Sequence, residues 1–140
     1  MQYHVYLLFN DAIFISCGNG AWTLDMATTY TKAYFTAFDM IQVFPNEIRP
    51  INVNFVQGDI LKELQFKSNT FDFVHTSHMR FSIPEDEFPK VILELLRVLK
   101  PNGWLDICER AGGFLNATPE IDLFRNKCRL FLFNSIVSYV

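Results

Sequence analysis

The stretch from Ala12 to Tyr30 constrains the fold more than any other part of the sequence. Its first four residues, Ala12 to Ile15, are apolar and lead directly into the loop Ser16-Cys17-Gly18-Asn19-Gly20. A short apolar run that stops at small residues and glycine is typical of a strand buried on both faces. After the loop, apolar residues at helical spacing predict a helix from Ala21 to Tyr30. A strand, a glycine loop and a helix in direct succession indicate an α/β domain.

Further elements follow at regular intervals. We predict strands at Tyr34 to Phe38, Val53 to Gln57, Phe71 to His75 and Trp104 to Cys108, a helix from Phe88 to Leu99, and a last helix and strand at Ile121 to Leu132 and Ser135 to Val140. Strands that alternate with helices predict right-handed crossovers and a doubly wound, mostly parallel sheet with helices on both faces. In such sheets, ligands bind beyond the carboxyl ends of the strands, where the strand order reverses.

Composition narrows the class of protein. A length of 140 residues, half of them hydrophobic, suits a single domain with a real core. The net charge of −3 and the scattered lysines and arginines argue against nucleic acid as a partner. Cys17, Cys108 and Cys128 form no CxxC pair, which fits free thiols in a reducing compartment. No uninterrupted apolar stretch is long enough to cross a bilayer. We therefore expect a cytoplasmic protein without a membrane partner.

Glycines and carboxylates stand where a ligand site is expected. Gly18 and Gly20 let the backbone approach a ligand just before a helix N-terminus, although two glycines alone fit an ordinary turn equally well. Asp39, nineteen residues after Gly20 at the end of the second strand, can accept hydrogen bonds from the ribose hydroxyls of an adenosine cofactor. Asp59 follows the third strand, where it can meet the adenine amine. Either carboxylate also fits an exposed turn, but together they favour a ligand.

From Cys17 to Glu109 the sequence resembles class I S-adenosylmethionine-dependent methyltransferases, which have a Rossmann-like fold. The matching segments are Cys17-Gly18-Asn19-Gly20, Phe38-Asp39-Met40, Gly58-Asp59-Ile60 and Phe71-Asp72-Phe73-Val74. The most specific segment runs from Glu94 to Leu105 and contains Lys100-Pro101-Asn102-Gly103. It is similar to the helix, turn and fifth strand of those enzymes.

The resemblance implies S-adenosylmethionine as cofactor, a small molecule as methyl acceptor, and a set of site residues. The implied cofactor-binding residues are Ser16, Gly18, Gly20, Asp39, Met40, Asp59, Ile60 and His75. The loop backbone would lie against the methionine part, Asp39 would hold the ribose and Asp59 would meet the adenine amine. Met40 and Ile60 would pack on the adenine.

Three polar residues after the fourth strand are candidates for the chemistry. The resemblance places His75 just past that strand, in the pocket near the sulfonium. His78 and Arg80 follow it, and histidine is a suitable general base. The alternative, ordinary polar loop residues, is favoured for His78 and Arg80. We predict no metal site, because His4, His75 and His78 lack ligand spacing with cysteines or carboxylates.

Two positions depart from the family pattern. Phe14 stands where these enzymes usually carry an acidic residue, and Ser16 stands where they carry the first glycine of the loop. The lost carboxylate and the added Cβ both touch the cofactor loop. Weakened cofactor binding is the expected consequence.

The ends of the sequence match the family least. We expect a single domain over residues 1–140, with a family-like core at 12–110 and a divergent or shortened end at 111–140. The seven-stranded sheet of the family would then be incomplete at its C-terminal edge, which invites self-association. An inactive remnant that acts as an interaction module, or has no activity, is the alternative to an active methyltransferase. A nicotinamide dehydrogenase is a third possibility, but its glycine pattern fits Ser16, Gly18 and Ala21 poorly.

Overall fold

The predicted apolar runs form one parallel sheet in the computed structural model of the chain, which describes residues 9–45, 47, 49–79 and 82–108. The strands are β1 (Asp11–Ile15), β2 (Tyr34–Asp39), β3 (Val53–Gln57), β4 (Phe71–Ser77) and β5 (Leu99–Cys108), and the helices are α1 (Ala21–Thr29) and α2 (Phe88–Val98). Every element predicted within these residues is confirmed. The helix and strand predicted at 121–132 and 135–140 lie outside the described residues. Neither described helix has the length and hydropathy needed to cross a bilayer.

The strand order is β3-β2-β1-β4-β5, and every neighbouring pair is parallel. The chain moves outward from β1 to β3 and then returns to the other side of β1 at β4. The order therefore reverses between β1 and β4, which confirms the doubly wound α/β fold. Beyond the carboxyl ends of these two strands lies the crevice where such sheets bind ligands.

The two helices cover opposite faces of the sheet, as predicted. On one face, Met26 and Ala27 of α1 belong to a buried cluster with Phe14, Phe35 and Phe73. On the other face, the buried side chains of α2 pack against the alternate residues of the strands; they include Val91, Ile92, Leu95 and Val98 from α2, and Ile13, Val74 and Leu105 from the sheet. The central strand β1 is therefore covered on both sides, which explains its apolar sequence.

The Lys100–Gly103 segment differs from its predicted form. We predicted a turn between a helix and a strand, but β5 already begins at Leu99, opposite Phe71 of β4. The next pair in the ladder joins Phe73 to Trp104, so the extra residues between them form a bulge. A Cβ at Gly103 would lie 2.9 Å from the backbone oxygen of Asp72, so the bulge needs glycine at this position.

The side chain of Asn52 connects the end of α1 to the start of β3. Its Nδ2 donates hydrogen bonds to the backbone oxygens of Ala27 (3.1 Å), Ala33 (2.9 Å) and Tyr30 (3.4 Å). Asn52 is only 7% exposed. It supplies a donor to the carbonyl group of Ala27 in the last turn of α1 and to that of Ala33 in the loop that follows.

Replacing Asn52 with alanine is expected to lower the free energy of unfolding by about 2 kcal/mol, because it removes the side-chain donor to the carbonyl groups of Ala27 and Ala33. Denaturant unfolding measures this change. The matched control is Asn54→Ala, which removes an exposed asparagine two residues further along, in β3. Equal effects of the two substitutions would contradict the capping role of Asn52.

Candidate functional site

The loop from Ser16 to Gly20 turns the chain sharply between β1 and α1. Three of its residues have left-handed backbone conformations, with φ of 59° at Ser16, 56° at Gly18 and 75° at Gly20. The Cys17 N–H donates to the backbone oxygen of Phe38 at 3.1 Å, which ties the loop to the end of β2. Glycine adopts such conformations at little cost, whereas serine does not.

The two glycines are needed for different reasons. A Cβ at Gly20 would lie 2.5 Å from Cε1 of Phe55, so glycine lets the start of α1 approach β3. A Cβ at Gly18 would meet nothing within 4 Å, so only the backbone conformation favours glycine there. The loop therefore has an open side at Gly18, where a ligand can approach the backbone.

The carboxylate of Asp39 joins this loop to the end of β2. Its Oδ2 accepts a hydrogen bond from the Gly18 N–H at 2.8 Å, and its Oδ1 accepts one from the Ile41 N–H at 2.9 Å. An ionised carboxylate can accept about four hydrogen bonds, so two positions are left for a ligand. The structure thus brings Asp39 next to the glycine loop, as the strand order requires.

The ends of β2 and β3 lie together on the other side of Asp39. The Gly58 N–H donates to the backbone oxygen of Asp39 at 2.9 Å. Asp59 accepts a hydrogen bond from the Leu61 N–H at 3.0 Å, which makes a local turn. Met40 is 61% exposed, and Ile60 is half-buried against the core of the α2 face. The four residues predicted to hold adenosine therefore lie together at the carboxyl ends of β2 and β3.

His75 is not where we predicted it. The sequence placed it just past the fourth strand, but β4 continues through Thr76 and Ser77, which pair with β5. His75 is therefore a buried residue within the strand, 7% exposed. Its Nδ1 lies 2.9 Å from Oδ2 of Asp106, which is also buried.

Aromatic rings surround His75. The centroid of its ring lies 4.1 Å from that of Trp22 and 5.6 Å from that of Phe14. Trp22 comes from the first turn of α1 and Phe14 from β1. Phe14, which stands at the position of a family carboxylate, is thus part of an aromatic cluster.

A cavity of about 210 Å³ opens at this point between β1, β4, β5 and α1. It is lined by Phe14, Ile15, Ser16, Cys17, Trp22, Thr23, His75, Ser77, His78 and Cys108. Sequence reasoning identified Ser16, His75 and His78 as site residues. It missed Trp22, Ser77 and Cys108, which become neighbours only through the pairing of distant strands and the position of α1. Arg80 lies outside the described residues.

The remaining candidates at this cavity differ in exposure and chemistry. His78 is exposed, and its backbone N–H donates to the oxygen of Cys108 at 3.0 Å. Burial, together with the negative charge of Asp39, raises the pKa of the Cys17 thiol to about 12. That thiol stays neutral at physiological pH and is therefore a poor nucleophile.

The fold is that of class I S-adenosylmethionine-dependent methyltransferases, and sequence comparison agrees. The model of a methyltransferase domain family matches residues 13–103. The chain therefore belongs to the methyltransferase-domain family. It is 28% identical over 123 residues to the methyltransferase pytC of Aspergillus terreus, an alignment that covers 78% of this chain. The same alignment spans 37% of the length of that protein.

Solved structures share the fold. An O-methyltransferase family protein from Burkholderia thailandensis matches 96% of this chain and 42% of its own, with a TM-score of 0.69 and 16% identity. Phosphoethanolamine N-methyltransferase 1 of Haemonchus contortus matches 79% of this chain and 27% of its own, with a TM-score of 0.62 and 21% identity. The latter was solved with phosphoethanolamine and S-adenosylhomocysteine bound. At these identities, the likeness concerns the fold.

Substituting glycine for Ser16 is expected to raise the free energy of unfolding by about 1 kcal/mol. Glycine adopts the left-handed backbone conformation of this residue without the steric strain that a Cβ causes. Denaturant unfolding tests this expectation. Asn69→Gly is the matched control, since Asn69 also has a positive φ of 56° but asparagine adopts this conformation more readily. A loss of stability in the Ser16 variant, or a larger gain in the Asn69 variant, would contradict the strain assigned to Ser16.

Proposed function

We propose that this chain binds S-adenosylmethionine and takes part in methyl transfer to a small molecule. One observation carries the proposal. The glycine loop, Asp39 and the cavity beside β4 lie next to one another at the carboxyl ends of the strands. Family membership supports methyl transfer as the reaction class. Because the chain spans little more than a third of the relative it matches, the activity and acceptor of the whole protein are part of the proposal.

The described residues fit this cofactor in two respects. Asp39 keeps two acceptor positions beside the open backbone of Gly18, as a ribose diol requires. At the other end of the site, the cavity is lined by the polar side chains of Ser16, Ser77 and His78, which can face a polar ligand. We infer that Ser16, Gly18 and Gly20 face the methionine part and that Asp39 binds the ribose.

The adenine would lie over the ends of β2 and β3. The exposed side chain of Met40 and the half-buried Ile60 offer apolar surface there. Asp59 would accept a hydrogen bond from the adenine amine. These three roles follow from the resemblance, and their location beside Asp39 supports them.

When bound, the cofactor supplies a sulfonium-activated methyl group, so alignment and exclusion of water are the main tasks of the protein. Phe14 and Trp22 make one wall of the cavity apolar. Among the two histidine candidates, His75 is buried with its Nδ1 engaged by Asp106. The exposed His78 is better placed to take a proton from an acceptor and pass it to solvent.

The acceptor we propose is a small molecule. A structural neighbour was solved with phosphoethanolamine bound, although this likeness is one of fold. The soluble, cytoplasmic location expected from the cysteines remains part of the same proposal.

The second candidate is an inactive methyltransferase-like domain that associates with itself through a sheet edge. Two observations favour it: Phe14 replaces a carboxylate, and Ser16 is strained. Within the described residues, β3 and β5 are the edges of the sheet. A monomer whose sedimentation is independent of concentration while the cofactor is bound would count against this candidate.

Calorimetry with S-adenosylmethionine and S-adenosylhomocysteine tests the leading proposal. We expect one site for each ligand, and we expect Asp39→Ala to weaken both by about tenfold or more because hydrogen bonds to a charged group are lost. Asp25→Ala removes an exposed carboxylate from α1 and serves as the control. If folded wild-type protein binds neither ligand, the cofactor claim fails while the fold assignment stands.

A further inference from the structure

The connection from β3 to β4 carries two of the residues that the proposed function assigns to the adenine, Asp59 and Ile60. It runs over residues 58–70, all of which the structure describes, and contains neither a helix nor a strand. Such a segment has no regular ladder of hydrogen bonds, so its backbone depends on polar groups that neighbouring elements supply. The groups that hold this connection therefore determine where Asp59 and Ile60 lie.

The middle of the connection is held by two side chains of α2. Oε1 of Glu94 accepts a hydrogen bond from the Leu64 N–H at 2.6 Å. Nη2 of Arg97 donates to the backbone oxygen of Leu64 at 2.9 Å, and its Nη1 donates to that of Phe66 at 2.8 Å. Leu64 itself is buried. Both of its backbone polar groups are thus hydrogen-bonded by side chains of α2.

Glu94 and Arg97 also orient each other. Nε of Arg97 donates to Oε2 of Glu94 at 2.8 Å and Nη2 donates to Oε1 at 2.7 Å, which makes a bidentate pair. Nη1 also lies 3.5 Å from Oγ of Ser68. The hydrogen bond from Arg97 lowers the pKa of the Glu94 carboxyl, which therefore stays ionised at neutral pH. This geometry needs the planar fork of arginine, which the single ammonium group of a lysine does not reproduce.

The start of the connection is fixed at the end of β2. The Gly58 N–H donates to the backbone oxygen of Asp39 at 2.9 Å. Residues 59–63 therefore run between two fixed points, Gly58 and Leu64. Among them, Ile60 packs against the apolar cluster to which Leu64 belongs. A displacement of Leu64 would therefore move Ile60 and the residue before it.

Small displacements matter for the carboxylate of Asp59. Its Oδ1 accepts the hydrogen bond from the Leu61 N–H at 3.0 Å, and its Oδ2 lies 4.0 Å from Nζ of Lys62, beyond hydrogen-bond distance. Oδ2 is therefore the oxygen that can accept from an adenine amine. Such a bond has an N···O distance of about 2.9 Å, so a shift of about 1 Å would break it.

We propose that Glu94 and Arg97 are positioning residues for the adenine end of the cofactor. They hold Leu64, which fixes the segment 59–63 and with it the carboxylate of Asp59. This inference rests on the proposed function. The helix α2 covers the face of the sheet opposite to α1 and the cavity, so the two side chains act on the ligand only through this segment. Their role is recognition of the base.

Calorimetry with two probes tests this role. S-adenosylhomocysteine carries the adenine amine, whereas S-inosylhomocysteine carries an oxygen at that position, which cannot donate to Asp59. We expect the wild-type protein to favour the first probe about tenfold or more, the effect of one hydrogen bond to a charged group. In Arg97→Lys and in Glu94→Ala, this preference should fall below about threefold, because the displaced carboxylate no longer meets the amine.

Two control variants separate positioning from stability. Lys90→Gln breaks the ion pair of Lys90 with Glu87, which has the same three-residue spacing and 2.7 Å between Nζ and Oε1. Asn52→Ala is expected to lower the free energy of unfolding, but it acts at the opposite end of β3. Both controls should keep the wild-type preference at a temperature where every variant is folded. Unchanged preference in the variants of Glu94 and Arg97, or an equal loss in Asn52→Ala, would refute the positioning role.

Hydrogen exchange of the wild-type protein keeps the test independent of variant folding. Because coupling between two sites is reciprocal, saturating S-adenosylhomocysteine should slow exchange of the Leu64 N–H more than saturating S-inosylhomocysteine does. Equal slowing by both probes, or none, would refute the coupling. Equal affinity of the wild-type protein for both probes would also overturn this inference while leaving the cofactor site intact. A folded wild-type protein that binds neither probe would instead refute the proposed function itself.

Discussion

The burial of residues 12–15 of β1 is the constraint on which the rest of the structure depends. Its residues from Ala12 to Ile15 are at most 1% exposed, because β2 and β4 flank the strand and helices cover both faces. A strand in that position needs apolar side chains, since a buried charge without a partner is costly. The chain leaves β1 at the point where the strand order reverses. The loop that follows therefore lies at the crevice where sheets of this kind bind ligands.

Polar groups close to β1 are hydrogen-bonded by carboxylates of other strands. Asp39 on one side holds the Gly18 N–H, and Asp106, two strands away on the other side, holds His75. Phe14 lies between them and contributes only its ring. Side-chain carboxylates thus stand on β2 and β5, while residues 12–15 of the central strand keep their apolar packing. Ser16, which follows β1, adopts a left-handed backbone conformation that is strained for serine and would not be for glycine.

Much of the fold could be predicted because its signals are local. β3 has the predicted bounds, and α1 begins at the predicted residue, directly after Gly20. β4 extends two residues beyond the prediction because Thr76 and Ser77 resemble loop residues and become strand only by pairing with β5. The pair of His75 and Asp106 was missed for the same reason. These residues are 31 positions apart, and no local pattern announces their contact.

The central claim is that one ligand spans the loop of β1, from Asp39 on β2 to His75 on β4. A crystal structure with S-adenosylhomocysteine bound tests it most directly. The account predicts the ribose hydroxyls on the Asp39 carboxylate and the methionine part of the ligand over the loop of Ser16 to Gly20, with its end in the cavity that His75 lines. A ligand bound away from this edge, or one whose amino-acid end points toward β3, would contradict it.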